Sequence, residues 1–261
     1  MKESTLMVAE IRLFMIGSDN YGVLLHDPAT GATATIDAGE AAPIEAELDA
    51  AGWRLSDILV THHHGDHVAG VETLKKRFGA RVTAPAYDRD RVPGVDATVR
   101  EGDVVTVGKI KGSVIETPGH TLGHVAYHFA EEKLLFCGDT LFAMGCGRLF
   151  EGTPQQMWTS LSKLAALPGD TKVYCGHEYT LSNARFALRF DGANPALAAR
   201  AAEVERLRAE DRFTVPSTIA EERATNPFLR AGDPAVAAAL GLPGARPAEV
   251  FAALREAKNR G

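Results

Sequence analysis

The chain has 261 residues, 45% of them hydrophobic and 24% charged, with a formal net charge of −6. That composition excludes disordered and fibrous architectures and allows one large domain, or one domain plus a smaller appendage. The acidic balance argues against a nucleic-acid partner, and no apolar run approaches the ~18 residues that a membrane span needs. In the N-terminal stretch, Glu10 and Arg12 interrupt any signal-peptide core, and the three cysteines, Cys137, Cys146 and Cys175, form no CxxC pair. A cytoplasmic location is the expectation.

Along the chain, Leu13–Ile16, Val23–His26 and Ala32–Ile36 are apolar or β-branched stretches between turn residues, and they read as strands. The segment Ala42–Ala51 reads as a helix, with Pro43 in its first turn and Gly52 as its stop. Ile58-Leu59-Val60 is a buried strand that runs into a histidine cluster, and Val68–Phe78 has helical spacing closed by Gly79. Further strands are expected at 81–83, 104–107, 114–116, 124–129, 133–136 and 172–174, with a helix at 154–167 before the last. This alternation predicts an α/β sandwich.

After about Tyr179 the texture changes to alanine- and arginine-rich helix. Asn194-Pro195, Asp233-Pro234 and Arg246-Pro247 each open a helix, the last running to about Asn259, and Thr218-x-x-Glu221 can form a capping box. The expected division is a mixed catalytic domain over 1–177 and an all-helical domain over 178–261.

The chemistry is concentrated in Thr61-His62-His63-His64-Gly65-Asp66-His67, at the exit of a buried strand. His62 and His64 leave the strand on one side, while Asp66 and His67 come from the turn, so four donors converge locally. Imidazole and carboxylate together suit zinc, iron or manganese. Chance expectation for HxHxDH in a chain of this length is on the order of 10⁻³, so a random histidine-rich loop is a poor explanation. Three more donors, His120, Asp139 and His177, each follow an apolar run at or just past a glycine. Seven donors suit two metals that share one carboxylate.

The motifs THHHGDH, TPGHTLGH, FCGDTLF, GCGRLFEGT, CGHEYT and NPFLR occur in this order. Through them the chain resembles the metallo-β-lactamase superfamily and, within it, the glyoxalase II (hydroxyacylglutathione hydrolase) family, over essentially its whole length. The resemblance implies an αββα sandwich with a binuclear metal centre, followed by a helical domain that helps to bind glutathione. It assigns His62, His64 and His120 to one divalent ion, most simply zinc, and Asp66, His67 and His177 to a second. Asp139 would bridge them, making Asp66 and Asp139 the catalytic carboxylates. Two dications held by neutral histidines and two carboxylates would lower the pKa of a shared water, giving hydroxide to attack the thioester of S-D-lactoylglutathione.

The same resemblance gives Arg148, Tyr179, Arg255 and Lys258 to the glutathione moiety. Arg255 and Lys258, three apart on a helix, share a face. Phe150 stands where some members carry tyrosine. His26, His63, His124 and His128 are expected to be non-ligands, Cys137 and Cys175 small packed hydrophobes, and Asp37 a group that orients a ligand histidine. A persulfide dioxygenase with a single iron is the alternative enzyme, an exported β-lactamase or a tRNA-processing nuclease fits less well, and a non-catalytic protein of the same fold would not explain seven retained donors. The oligomeric state is open, with a monomer favoured.

Overall fold

The computed structural model describes residues 9–260. Residues 1–8, where the N-terminal stretch begins, and Gly261 lie outside the described residues. Two compact units result, one running to Glu116 and including Val125–Leu134, the other comprising Thr117–His124 and the chain from Leu135.

In the first unit, β1 (Glu10–Ile16), β2 (Asn20–Asp27) and β3 (Ala32–Ile36) pair antiparallel. β4 (Asp57–Leu59), β5 (Arg81–Pro85) and β6 (Ala97–Val99) then add in parallel, completing a six-stranded sheet in sequence order. Parallel neighbours need crossovers. α1 (Ala41–Ala51) supplies the first, α2 (Gly65–Val68) and α3 (Val71–Phe78) the second, and a 3₁₀ turn over Ala86–Arg91 lies in the third. Ile44 and Leu48 of α1 and Val71 and Leu74 of α3 are fully buried with Leu24, Ile58 and Val82 of the sheet. β7 (Val104–Val107), β8 (Ile110–Glu116) and β9 (Val125–Phe129) form an antiparallel ladder in the same unit. It is tied to the exit of β4, because Val125 N–H donates to Thr61 O at 2.9 Å and the Tyr127 hydroxyl to Val60 O at 2.7 Å.

The single helix expected over Val68–Phe78 is two pieces. The chain breaks between Val68 and Val71, where Gly70 N–H donates to Ala38 O at 2.8 Å and His67 O accepts from Ala38 N–H at 2.7 Å instead of continuing a helical ladder, and a Cβ on Gly70 would sit 2.7 Å from Ala41 N. The 3₁₀ turn and β6 have no counterpart in the sequence reading, since segments this short carry little periodicity.

The second unit contains β10 (Leu134–Phe136) from its second residue on, the two-stranded ribbon of β11 (Leu141–Phe142) and β12 (Gly145–Cys146), α4 (Pro154–Ala165) and β13 (Lys172–Tyr174). It continues with α5 (Thr180–Asp191), α6 (Pro195–Ala209), β14 (Ser217–Thr218), α7 (Ile219–Thr225), α8 (Pro234–Ala239) and α9 (Pro247–Asn259). The expected N-caps accept their bonds, Asn194 from Ala196 and Leu197 N–H, Thr218 from Glu221 N–H, and Asp233 from Ala235 N–H, but the capping box expected at Thr218 is only half formed, since the Glu221 carboxylate pairs with Arg200. α5 was not expected as a separate helix. Its buried face includes Ala184 and Ala187 against Leu197, Ala201 and Val204 of α6, and alanine gives a faint hydrophobic pattern. Among the described residues, no helix is long and apolar enough to cross a membrane.

Candidate metal centre

Four of the seven expected donors lie in the first unit. β3 and β4 are parallel with Ile36 opposite Leu59, so the segments that follow them leave the same sheet edge. Asp37 turns out of β3 in a left-handed conformation, φ 58°. Its Oδ1 accepts from Thr61 N–H at 2.7 Å, and its Oδ2 accepts from the Thr61 hydroxyl and from His67 Nδ1, each at 2.8 Å. His67 therefore keeps its proton on Nδ1 and offers the Nε2 lone pair. The Thr61 hydroxyl has spent its one hydrogen on Asp37, so His62 Nδ1, 3.0 Å away, must donate to it. His62 Nε2 is thereby left as an acceptor, and it faces His64 Nδ1 at 3.1 Å.

Asn20, at the start of β2, donates from Nδ2 to both the backbone oxygen and Oδ2 of Asp66, each at 3.2 Å. Asp37, His62 and His67 offer donor atoms within 4.8 Å of one another, but both Asp37 oxygens are committed to orienting their neighbours. His63 turns elsewhere, its Nδ1 lying 3.2 Å from Asp88 Oδ2.

The other three donors lie in the second unit. The exits of β10 and β13 run side by side, with Cys137 N–H donating to Tyr174 O at 3.0 Å and Gly176 N–H to Gly138 O at 2.9 Å. Asp139 and His177 are thus neighbours, with His177 Nε2 3.3 Å from Asp139 Oδ2. His120 approaches the same oxygen, its Nε2 at 3.4 Å, while its Nδ1 donates to Arg148 O at 2.7 Å. One carboxylate oxygen thus faces two imidazole Nε2 atoms. His124 is a support: its Nε2 accepts the Asp139 N–H at 3.0 Å, and its Nδ1 lies 2.8 Å from Thr117 Oγ1.

Of the four residues expected to meet glutathione, Arg148 is exposed and Tyr179 is 38% exposed, its ring stacked on His177 at 4.8 Å. Phe150 is exposed and meets the His120 ring edge-on at 5.2 Å. Lys258 is half-buried, donates to Ser182 O at 3.1 Å and lies over the Phe186 ring. Burial, with the charge of Arg255 beside it, pushes its pKa down to about 8. Arg255 differs from its partner. It is only 6% exposed, donates from Nη1 to Cys146 O at 2.8 Å and lies over the Phe228 ring. Burial pushes the Cys137 thiol far up and the Cys175 thiol up to about 12, so neither is a nucleophile.

With this geometry in place, comparison with known proteins is decisive. Residues 16–177 match the family model of the metallo-β-lactamase superfamily, and residues 178–261 match that of the hydroxyacylglutathione hydrolase C-terminus. A hydroxyacylglutathione hydrolase of Rhodopseudomonas palustris (strain BisA53) is 58% identical over 97% of this chain and 100% of its own length. Another, of Methylobacterium nodulans, is 59% identical over 96% of this chain and 99% of its own.

The chain belongs to the hydroxyacylglutathione hydrolase family. Its fold is the metallo-β-lactamase fold followed by the helical C-terminal segment of that family. Among solved structures, ETHE1 from Myxococcus xanthus is similar with TM-score 0.66 and 27% identity, covering 97% of this chain and 99% of its own. The BLEG-1 B3 metallo-β-lactamase shares the fold at TM-score 0.65 and 23% identity, covering 84% of this chain and 99% of its own.

The donor set of this hydroxyacylglutathione hydrolase family member fits divalent metal. The Nδ1 atoms of His62, His67 and His120 are each held by an oxygen, which leaves Nε2 to face outward, the way proteins present histidine to a cation. His124 was expected to be a supporting or structural group and is one, whereas Asn20, which holds Asp66, was not assigned this part from the sequence, nor was Asn226, whose amide donates to Phe142 O and Gly145 O. Asn20 reads there as a turn residue before a strand, and Asn226 as a piece of the NPFLR motif with no stated task.

Proposed function

We propose that this chain hydrolyses S-2-hydroxyacylglutathione, S-D-lactoylglutathione in particular, to glutathione and the free hydroxy acid. The observation that carries the proposal is Asp139 Oδ2 set against the Nε2 atoms of both His120 and His177. It occurs in a chain that matches hydroxyacylglutathione hydrolases over nearly its whole length. On this reading His62, His64 and His120 hold one divalent ion, Asp66, His67 and His177 a second, and Asp139 both. Zinc is the simplest occupant, and iron and manganese suit the same donors.

Bound divalent ions would supply a water activated as a nucleophile and a Lewis acid for the thioester carbonyl. The chain's own groups do the rest. Asp37 and Thr61 hold His62 and His67 in one tautomer, and Asn20 holds the Asp66 carboxylate. Arg148, exposed and cationic, and Lys258 attract the carboxylates of glutathione, while Tyr179 offers a ring and a hydroxyl beside His177. Water adds to the acyl carbon, the C–S bond breaks, and glutathione departs as thiolate, a leaving group good enough that no protein acid is needed. A persulfide dioxygenase with a single iron would leave Asp66, His67 and His177 without a metal-binding role. The same reading places the chain in a reducing cytoplasm, where its three buried cysteines remain thiols.

The test is hydrolysis of S-D-lactoylglutathione by protein whose metal content is measured on the same preparation. Turnover with two metals per chain is the expected result, and a fully loaded protein that leaves the thioester intact overturns the reading.

A further inference from the structure

The segment between Asp139 and Arg148 is held by side chains of the helices. Asn183 Nδ2 donates to Ala143 O at 3.1 Å, and Asn226 Nδ2 donates to Phe142 O at 3.1 Å and Gly145 O at 2.9 Å. Arg255 Nη1 caps Cys146 O. The Met144 N–H donates to Glu222 Oε2 at 2.9 Å, and Asn226 Nδ2 lies 3.0 Å from that oxygen, its two hydrogens shared among three acceptors. Asn226 Oδ1 accepts the Phe228 N–H at 3.0 Å, which fixes the orientation of the amide. Glu222 and Asn226 are both fully buried, 1% and 0% exposed. Met144, at φ 53°, occupies a conformation that non-glycine residues rarely adopt.

The two ends of this segment belong to the metal centre. Gly147 N–H donates to Thr140 O, and a Cβ on Gly147 would lie 1.9 Å from Asp139 O, so the closing end packs directly on Asp139. The next carbonyl, Arg148 O, accepts the proton that fixes the tautomer of His120. A shift of the segment therefore displaces Asp139 and releases His120 together.

We propose that Glu222 and Asn226 are positioning residues for the metal centre: by locking the 141–147 segment they set the Asp139 carboxylate and the orientation of His120. The inference rests on reading Asp139 and His120 as metal ligands. It gives the C-terminal helices a task besides contact with glutathione, since α7 and the turn after it hold the segment that carries the ligands.

The experiment is zinc binding to metal-free protein, measured by competition with a chelator of known affinity. Glu222→Gln keeps an oxygen for Met144 N–H and Asn226, and zinc affinity within about threefold of wild type is expected. Glu222→Ala and Asn226→Ala are expected to weaken zinc binding by about tenfold or more, as loss of a group supporting a metal ligand does. Leu48→Ala, in the core of the first unit, serves as a control that lowers melting temperature without loosening the segment. Zinc affinity of the alanine variants within threefold of wild type would overturn the proposal, as would an equal loss in Leu48→Ala. If Asn226→Ala fails to fold, the contrast between Glu222→Ala and Glu222→Gln decides. The readout needs no substrate, so a wild type that follows this pattern yet spares lactoylglutathione would sink the proposed function and leave this inference standing.

Discussion

Asp37 Oδ2 accepts the His67 Nδ1 proton at 2.8 Å while the same carboxylate receives both the backbone N–H and the hydroxyl of Thr61. One side chain thereby sets His67, a proposed metal ligand, and the start of the HxHxDH turn. Asp37→Ala should lower zinc affinity by about 10- to 100-fold, the usual consequence of removing such a partner. Asp37→Asn, which retains one oxygen but brings an NH₂ against two donors, should fall between. Chelator competition on the two variants checks the order, and equal affinity in all three proteins would remove Asp37 from the metal centre.

What the sequence made legible here follows from distance along the chain. His62, His64, Asp66 and His67 lie within six positions, so local geometry alone brings them together. His120, Asp139 and His177 are marked by glycines after apolar runs, although their mutual approach depends on the exits of β10 and β13 running side by side. The supporting groups are a different matter. Arg255 meets Cys146 across 109 positions and Asn226 meets Phe142 across 84, so nothing near either residue announces the contact. The break at Gly70 is hidden for the same reason, because Ala38, whose backbone takes the Gly70 N–H and gives its own to His67 O, lies outside any helical window.

Glu222 gives a pH dependence whose sign is fixed by burial. Desolvation raises its pKa from 4.5 to about 7, against the lowering influence of its hydrogen bonds. The folded state thus holds this proton more tightly than the unfolded chain. The contribution is fully present below pH 4.5 and is lost as pH rises through about 7. At most about 3 kcal/mol is involved, on the scale of 1.4 kcal/mol per pKa unit. In metal-free protein, Glu222→Gln should melt above wild type at pH 8 and gain little at pH 5. A Gln variant with the same increment at both pH values would show that Glu222 does not titrate in this window.

Lys258 predicts a separate pH effect on substrate binding. With a pKa near 8, set first by burial and then by Arg255, it loses its charge just above neutrality. The carboxylates of glutathione keep their charge through hydrolysis, so a contact to one of them should act on ground and transition states alike. kcat/KM for S-D-lactoylglutathione should therefore fall above pH 8 through KM, with kcat nearly flat. Lys258→Arg, which stays charged, should remove that limb and leave only the titration of the substrate's own amine. A limb unchanged in the arginine variant would assign it to the substrate.

Arg255 should not behave like its neighbour. Equal spacing from a ligand carboxylate would make the two cations interchangeable, with substitution of either raising KM alone. In the structure Arg255 is buried, and its Nη1 already caps Cys146 O while its guanidinium lies over Phe228. Removing it leaves a buried carbonyl without its donor and frees one end of the segment leading to Arg148. Arg255→Met, which keeps much of the apolar stem, should cost roughly 1.5–3 kcal/mol of stability, the range for a hydrogen bond to a charged group. It should also lower kcat, because the loss reaches Asp139 through the backbone as well as glutathione. Lys258→Met should raise KM at nearly constant stability and kcat. A small thioester lacking the peptide separates the two causes: Lys258→Met should hydrolyse it at the wild-type rate, and Arg255→Met more slowly. If Arg255→Met instead matched wild type on the small thioester and in urea unfolding, the bond to Cys146 O would be dispensable, and Arg255 would act on glutathione alone.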